Sequence, residues 1–345
     1  MNEIGNIGYI NNIRILATFA VVMIHVFSQI NSDFSSYLSN SEYYICIVLV
    51  NFWQWCIPLF VMITGVLFLD PKKDVSLEKI LKKYFLRIIL AILVFGIPYC
   101  FMKILFEANM SFNIGQIGSA ILNTLQGKSW AHMWYLYMIA GLYLCIPFIK
   151  LYVTTASNSI QYYTLVILFI FTSIIPAAES IAPIKIGIYI PVTSVYIFYL
   201  LLGYYVHYNK VSIKNGILFM LTLLYILYSI IMPLNKDYYS LSNAGHLVLT
   251  EYNSPLVALA AFSIFCIFRQ NNKSFKLINN VTPMCFGVYL VHAFFINLLY
   301  KYIEFTPEKH TFLFVIISTI LITITMSLVF TYFARKITII KEFLL

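Results

Sequence analysis

The sequence predicts an all-α membrane protein, a bundle of about ten helices that cross the bilayer with both chain ends on the cytoplasmic side. Three observations predict it. Of the 345 residues, 61% are hydrophobic and only 10% are charged, against about 25% charged in a soluble domain. Mean hydropathy is +0.86. The apolar runs follow one another with short gaps, so the whole of 1–345 reads as one transmembrane domain.

A helix needs about 20 apolar residues to cross the hydrocarbon core. Such runs lie near 12–30, 43–69, 84–106, 130–149, 161–177, 189–207, 216–233, 252–268, 283–301 and 311–333. The fifth is short and ends near Pro176, and the more polar segment 107–129 is expected to hold a short interfacial helix. The first run contains Arg14 and His25 with no small-residue cleavage site after it, so it reads as a retained span rather than a signal peptide. In the second run Pro58, Thr64 and Gly65 permit a kink or a close helix approach.

Orientation follows from the cations. With the N-terminus inside, the cytoplasmic segments hold 16: Arg14, Lys72, Lys73, Lys79, Lys82, Lys83, Arg87, Lys150, Lys210, Lys214, Arg269, Lys273, Lys276, Arg335, Lys336 and Lys341. The outer segments hold 6: Lys103, Lys128, Lys185, Lys236, Lys301 and Lys309. The net charge of +9 therefore reads as inner-loop lysines against anionic headgroups, with the bilayer as partner and no nucleic acid. The six cysteines mostly fall inside apolar runs and form no CxxC pair, so they are expected to pack rather than to bind metal.

Ionisable residues inside spans are costly and draw attention to function. Arg14 and His25 stand 11 residues apart in IRILATFAVVMIHV. That is about three helical turns, which sets both side chains on one face roughly 16 Å apart along the axis. The pair could grip an anion near the inner face and perform proton or acyl chemistry deeper in. The plain alternatives are an arginine snorkelling to headgroups and a histidine bonded within the bundle. The loop DPKKDVSLEKILKKYFLR at 70–87 is the most basic stretch. It is either an ordinary inner loop or a docking surface for a phosphorylated cofactor, with Lys83 and Arg87 four apart on one helix face. His132 opens the aromatic run SWAHMWYLYMIAGLYLCIP, and GVYLVH places His292 near mid-membrane. An interfacial aromatic belt and a packed histidine are the bland readings of these. His207, His246 and His310 carry no usable signal. Walker, GxSxG, HExxH and GxGxxG patterns are absent, and no acid sits inside a span, which argues against a proton-coupled transporter.

Taken together these stretches resemble the acyltransferase-3 family of integral membrane acyltransferases over nearly the whole chain. Arg14 and His25 stand at the family's spacing. PLFVMITG resembles its second-span segment, with Thr64 where serine is common. LKKYFLRII resembles the basic patch entering the third span, although Lys82, Lys83 and Arg87 replace the usual arginine pair followed by proline. HMWYLYMIAGLYLCIP, with His132 and Trp134, and GVYLVH, with His292, complete five stretches in family order.

The resemblance implies a ten-helix core that takes an acyl group, usually acetyl, from cytoplasmic acyl-CoA and delivers it to a hydroxyl of an envelope polysaccharide or glycolipid. Arg14, Lys82, Lys83 and Arg87 would hold the acyl-CoA and His25 and His132 would be catalytic. Thr64, Trp134 and His292 are secondary candidates, and no metal is expected. Many relatives carry an extracellular esterase-like domain. This chain stops at Leu345 without one, so it is expected to serve the acceptor directly or through a separate extracytoplasmic transferase. Lysine-, isoleucine- and asparagine-rich usage suggests an AT-rich bacterial genome, and the chain is expected in the bacterial cytoplasmic membrane. The competing function is a polytopic transporter or flippase for a phosphorylated or lipid-linked substrate. A third reading is a scaffold or sensor in which His25 titrates.

Overall fold

The computed structural model describes residues 8–73, 76–107, 114–181, 185–188, 190, 194–234, 251–271 and 276–345. Asp74, Lys236, Asp237, His246 and Lys273 lie outside them. The described residues are helical, with no strand among them. Eight helices are long and apolar enough to cross a membrane, and two shorter apolar ones, Val195–Tyr208 and Pro255–Asn271, coincide with the remaining two expected runs.

The first helix, α1 (Gly8–Asp33), is followed by α2 (Asn40–Phe52) and α3 (Cys56–Phe68). α2 starts at a capping box in which the Ser39 side chain accepts from the Glu42 amide while Glu42 accepts from the Ser39 amide. The single expected run 43–69 is thus broken in two, and the break falls at Trp53–Trp55, ahead of Pro58 and Gly65. Pro58 sits in the first turn of α3, where its missing N–H has no carbonyl to lose. A π-helical turn at Ile80–Phe85 leads into α4 (Leu86–Met102). The interfacial segment forms α5 (Ile114–Leu125), with Gln116 and Thr124 buried against the protein and Ile114, Leu122 and Leu125 exposed. Its apolar side faces outward, as a helix in contact with lipid requires.

α6 (Trp134–Thr155) precedes α7 (Asn158–Phe169) and α8 (Ile175–Ile181). The fifth run does not stop near Pro176 as expected. A π-helical turn at Ile170–Ile174 lies immediately before the proline, absorbs its missing donor and lets one rod continue to Ile181. α9 (Val195–Tyr208), α10 (Asn215–Ile231), α11 (Pro255–Asn271), α12 (Cys285–Asn297), α13 (Phe312–Ala334) and α14 (Thr338–Phe343) complete the chain.

α1 is the central helix. It packs against α2, α3, α11, α12 and α13 and against the short helix Lys276–Val281, so the span that carries Arg14 and His25 is enclosed by the bundle. The tightest crossing joins α3 to α9. A Cβ added at Gly65 would lie 2.0 Å from the Leu200 carbonyl oxygen, and one at Gly203 would lie 2.2 Å from that of Met62. The two backbones touch with no room for a methyl group, the small-residue approach that drives helix association in lipid. We expect Gly203→Ala to destabilise the protein by about 1–3 kcal/mol, lowering thermal unfolding in detergent by several degrees. Gly141→Ala, whose added Cβ has nothing within 4 Å, should leave it unchanged.

Candidate active site

Two polar assemblies lie along α1, one at each member of its ionisable pair. At the Arg14 end is a chamber of about 220 Å³. α1 contributes Arg14, α3 contributes Phe60, Thr64 and Phe68, and the segment entering α4 contributes Tyr84 and Arg87. Tyr135 and Tyr143 of α6, Cys285, Phe286 and Tyr289 of α12, and Leu345 close it. Among the described residues the lining holds two guanidiniums and no aspartate or glutamate side chain. Among the described residues the Arg14 guanidinium makes no hydrogen bond or ion pair. Arg87 Nε is buried with no partner, and its guanidinium carbon stands 5.8 Å from the centre of the Phe286 ring. A third guanidinium, Arg335, donates to the Pro283 carbonyl at 3.0 Å and to a terminal oxygen of Leu345 at 2.8 Å, at the edge of the chamber. Buried cations lacking carboxylate partners are expensive. An anion between them would relieve that cost through charge-assisted hydrogen bonds.

Lys82 and Lys83 do not line the chamber. Lys82 is exposed and paired with Glu78 at 2.7 Å. Lys83 is exposed beside the Tyr84 ring, 5.9 Å from its centre. Four-residue spacing puts two side chains on one face of an α-helix. Here the segment Ile80–Phe85 is π-helical, and Arg87 lines the chamber while Lys83 stays exposed.

At the other end three imidazoles meet. The His25 ring centre lies 5.1 Å from that of His292 and 6.1 Å from that of His132, and the last two are 5.0 Å apart. α1, the turn leading into α6, and α12 each supply one. His132 and His292 are 2% and 0% exposed. His25 is partly accessible and makes no hydrogen bond among the described residues. The assembly is braced by backbone contacts. Tyr289 donates to the His132 carbonyl at 2.5 Å, Tyr99 donates to that of Leu290 at 2.8 Å, and Tyr99 stacks on Trp130 with centres 4.3 Å apart.

Tyr289 joins the two assemblies. It lines the arginine chamber, and its ring centre is 5.9 Å from those of both His132 and His292. Tyr135 stands beside it at 5.5 Å. The imidazoles are not lining residues of the chamber, so these two phenol rings partition it from the histidine cluster. Thr64 lines the chamber but spends its hydroxyl on the Phe60 carbonyl of its own helix, at 2.9 Å. Trp134 stacks on Tyr252 with ring centres 5.5 Å apart and supports α6 rather than touching the imidazoles. Tyr135, Tyr143 and Tyr289 were legible only as belt aromatics, and Arg335 only as an inner-loop cation. Tyr289 did carry a signal, since it precedes His292 by three residues and so shares its helix face.

No curated protein and no solved structure matches this chain. A family model described as an acyltransferase domain does match it, over residues 7–332. The match takes in the whole of α1 to α12 and most of α13, and it includes every residue of both assemblies except Arg335 and Leu345. This multi-pass membrane protein belongs to the acyltransferase-3 family of acyltransferases.

Proposed function

We propose that the protein moves an acyl group, acetyl in the simplest case, from cytoplasmic acyl-CoA to a hydroxyl of a cell-envelope polysaccharide or glycolipid. One observation carries this reading. The chamber with two guanidiniums and no aspartate or glutamate side chain among the described residues, and the cluster of three imidazoles, lie on the same central helix three turns apart and meet at Tyr289. The excess of lysine and arginine on the Arg14 side supports placing that side in the cytoplasm. CoA is a polyphosphate with a long, thin arm, a shape that suits a cationic chamber walled by aromatic rings on the side toward the imidazoles.

In this reading Arg14 and Arg87 hold phosphate oxygens, with the planar guanidinium forks matching their geometry. Phe60, Tyr135, Tyr143 and Phe286 flank the pantetheine arm. The thioester passes the Tyr135–Tyr289 partition and reaches the imidazoles. His25 takes the proton of the acceptor hydroxyl as that oxygen attacks the thioester carbonyl. The new oxygen–acyl bond forms, the carbon–sulfur bond breaks, and the proton returns from His25 to the departing thiolate. His132, at the start of α6, borders the position of the acceptor.

We expect purified protein in detergent, given acetyl-CoA and a soluble oligosaccharide acceptor, to release free thiol, as a carrier or scaffold would not. His25→Ala should lower kcat by about 100-fold or more while the protein stays folded, in line with loss of a general base. Full transfer by that variant would remove the mechanism. Arg14→Ala and Arg87→Ala should each raise KM for acetyl-CoA by about tenfold or more, the cost of one charge-assisted hydrogen bond. Lys82→Ala and Lys83→Ala should leave KM within about twofold, as exposed charges do. Equal effects at all four positions would place the donor on the surface of the loop instead of in the chamber.

A further inference from the structure

The three imidazoles are not equivalent. His292 Nδ1 lies 2.6 Å from the Tyr289 carbonyl oxygen and 3.3 Å from that of Val288. A carbonyl oxygen can only accept, so Nδ1 carries the hydrogen. In the neutral ring Nε2 is then a bare acceptor, and it is buried with no partner. His132 follows the same pattern. Its Nε2 is likewise buried and unpartnered. The two rings stand edge to face with centres 5.0 Å apart, and neither Nε2 has found a donor in the other.

His25 differs from both. Its ring is committed to no protein group among the described residues, so its own N–H is free to donate. Two imidazoles joined nitrogen to nitrogen at hydrogen-bond distance have ring centres about 5 Å apart. The His25–His292 separation of 5.1 Å is short enough for such a bond, which a turn of the tilted His25 ring would complete, whereas the 6.1 Å to His132 is too long.

We infer that His292 is a positioning residue: its bare Nε2 accepts the N–H of His25, fixes that ring's tautomer and aim, and leaves the other His25 nitrogen unprotonated toward the acceptor hydroxyl. An imidazole here takes the place that a carboxylate holds in other base–orienter pairs, where loss of the correct tautomer costs up to about 10⁴ in kcat. A neutral orienter suits this site, because a carboxylate at the same depth would add a buried charge. The inference rests on the reading of His25 as the base.

Two substitutions separate positioning from packing. His292→Asn keeps a donor for the Tyr289 carbonyl but ends short of the Nε2 position. His292→Gln reaches that position with an oxygen acceptor. In the acetyl-CoA thiol-release assay with an oligosaccharide acceptor, His292→Asn should lose about 100-fold in kcat with KM for acetyl-CoA within about twofold. His292→Gln should stay within about tenfold of the parent kcat. Combining His292→Asn with His25→Ala should cost no more than His25→Ala alone, since the two act as a unit. Thermal unfolding checks that each variant is folded, and His292→Gln tests the idea even where His292→Asn does not fold. Parent-like turnover by His292→Asn, or turnover by His292→Gln below a thousandth of the parent rate in folded protein, overturns the inference. An inert His25→Ala beside an active His292→Asn removes only the positioning role. An active His25→Ala removes the reading on which it rests.

Discussion

A guanidinium and an imidazole held on one face of a lipid-embedded bundle's central helix are the constraint around which the protein is organised. Neither Arg14 nor His25 can be left against hydrocarbon, and neither is neutralised by a carboxylate. The fold meets this by surrounding α1 with other helices and by placing polarisable or hydrogen-bonding groups around each residue. Tyr135, Tyr143, Thr64 and Arg87 share the chamber with Arg14. His132 and His292 share the cluster with His25. Enclosure of this kind costs stability, as unpaired buried charge always does. Close backbone packing elsewhere, above all the contact of α3 with α9 at Gly65 and Gly203, helps offset it.

The separation of the two assemblies follows from the helix itself. Eleven residues at about 1.5 Å each set the distance, and a rigid rod keeps it. Binding chemistry and transfer chemistry are then held apart, as a reaction across a membrane requires. On the proposed reading, the donor's charged end would stay near one surface while its reactive end reaches well into the bilayer. Tyr289 is the joint between the two, since its ring lines the chamber and its hydroxyl holds the backbone of His132. Motion at that ring would be felt at once by the chamber and by the cluster, so on the proposed reading donor binding and acceptor geometry would share one side chain.

Much of this was legible in the sequence because membrane spans obey simple rules. Length and hydropathy located the helices, and the cost of intramembrane charge singled out Arg14, His25 and His292. Local backbone chemistry was harder to read. The break at Trp53–Trp55 and the π-helical turns at Ile80–Phe85 and Ile170–Ile174 leave no mark in hydropathy. The tyrosines were hidden for a different reason. With 27 in the chain, an aromatic at a membrane boundary and one lining a chamber look alike until the helices are packed. The meeting of His132 with the other two imidazoles was also beyond reach, because it depends on how the turn before α6 docks on α12.

The central claim is that the arginine chamber grips the phosphates of the donor. Calorimetric titration of the detergent-solubilised protein with CoA and with phosphate-free pantetheine tests it without any need for turnover or a known acceptor. The account expects CoA to bind at least about tenfold more tightly than pantetheine, with the difference abolished in the Arg14→Ala/Arg87→Ala protein and retained in His25→Ala. CoA binding that is unchanged by loss of both guanidiniums would contradict it.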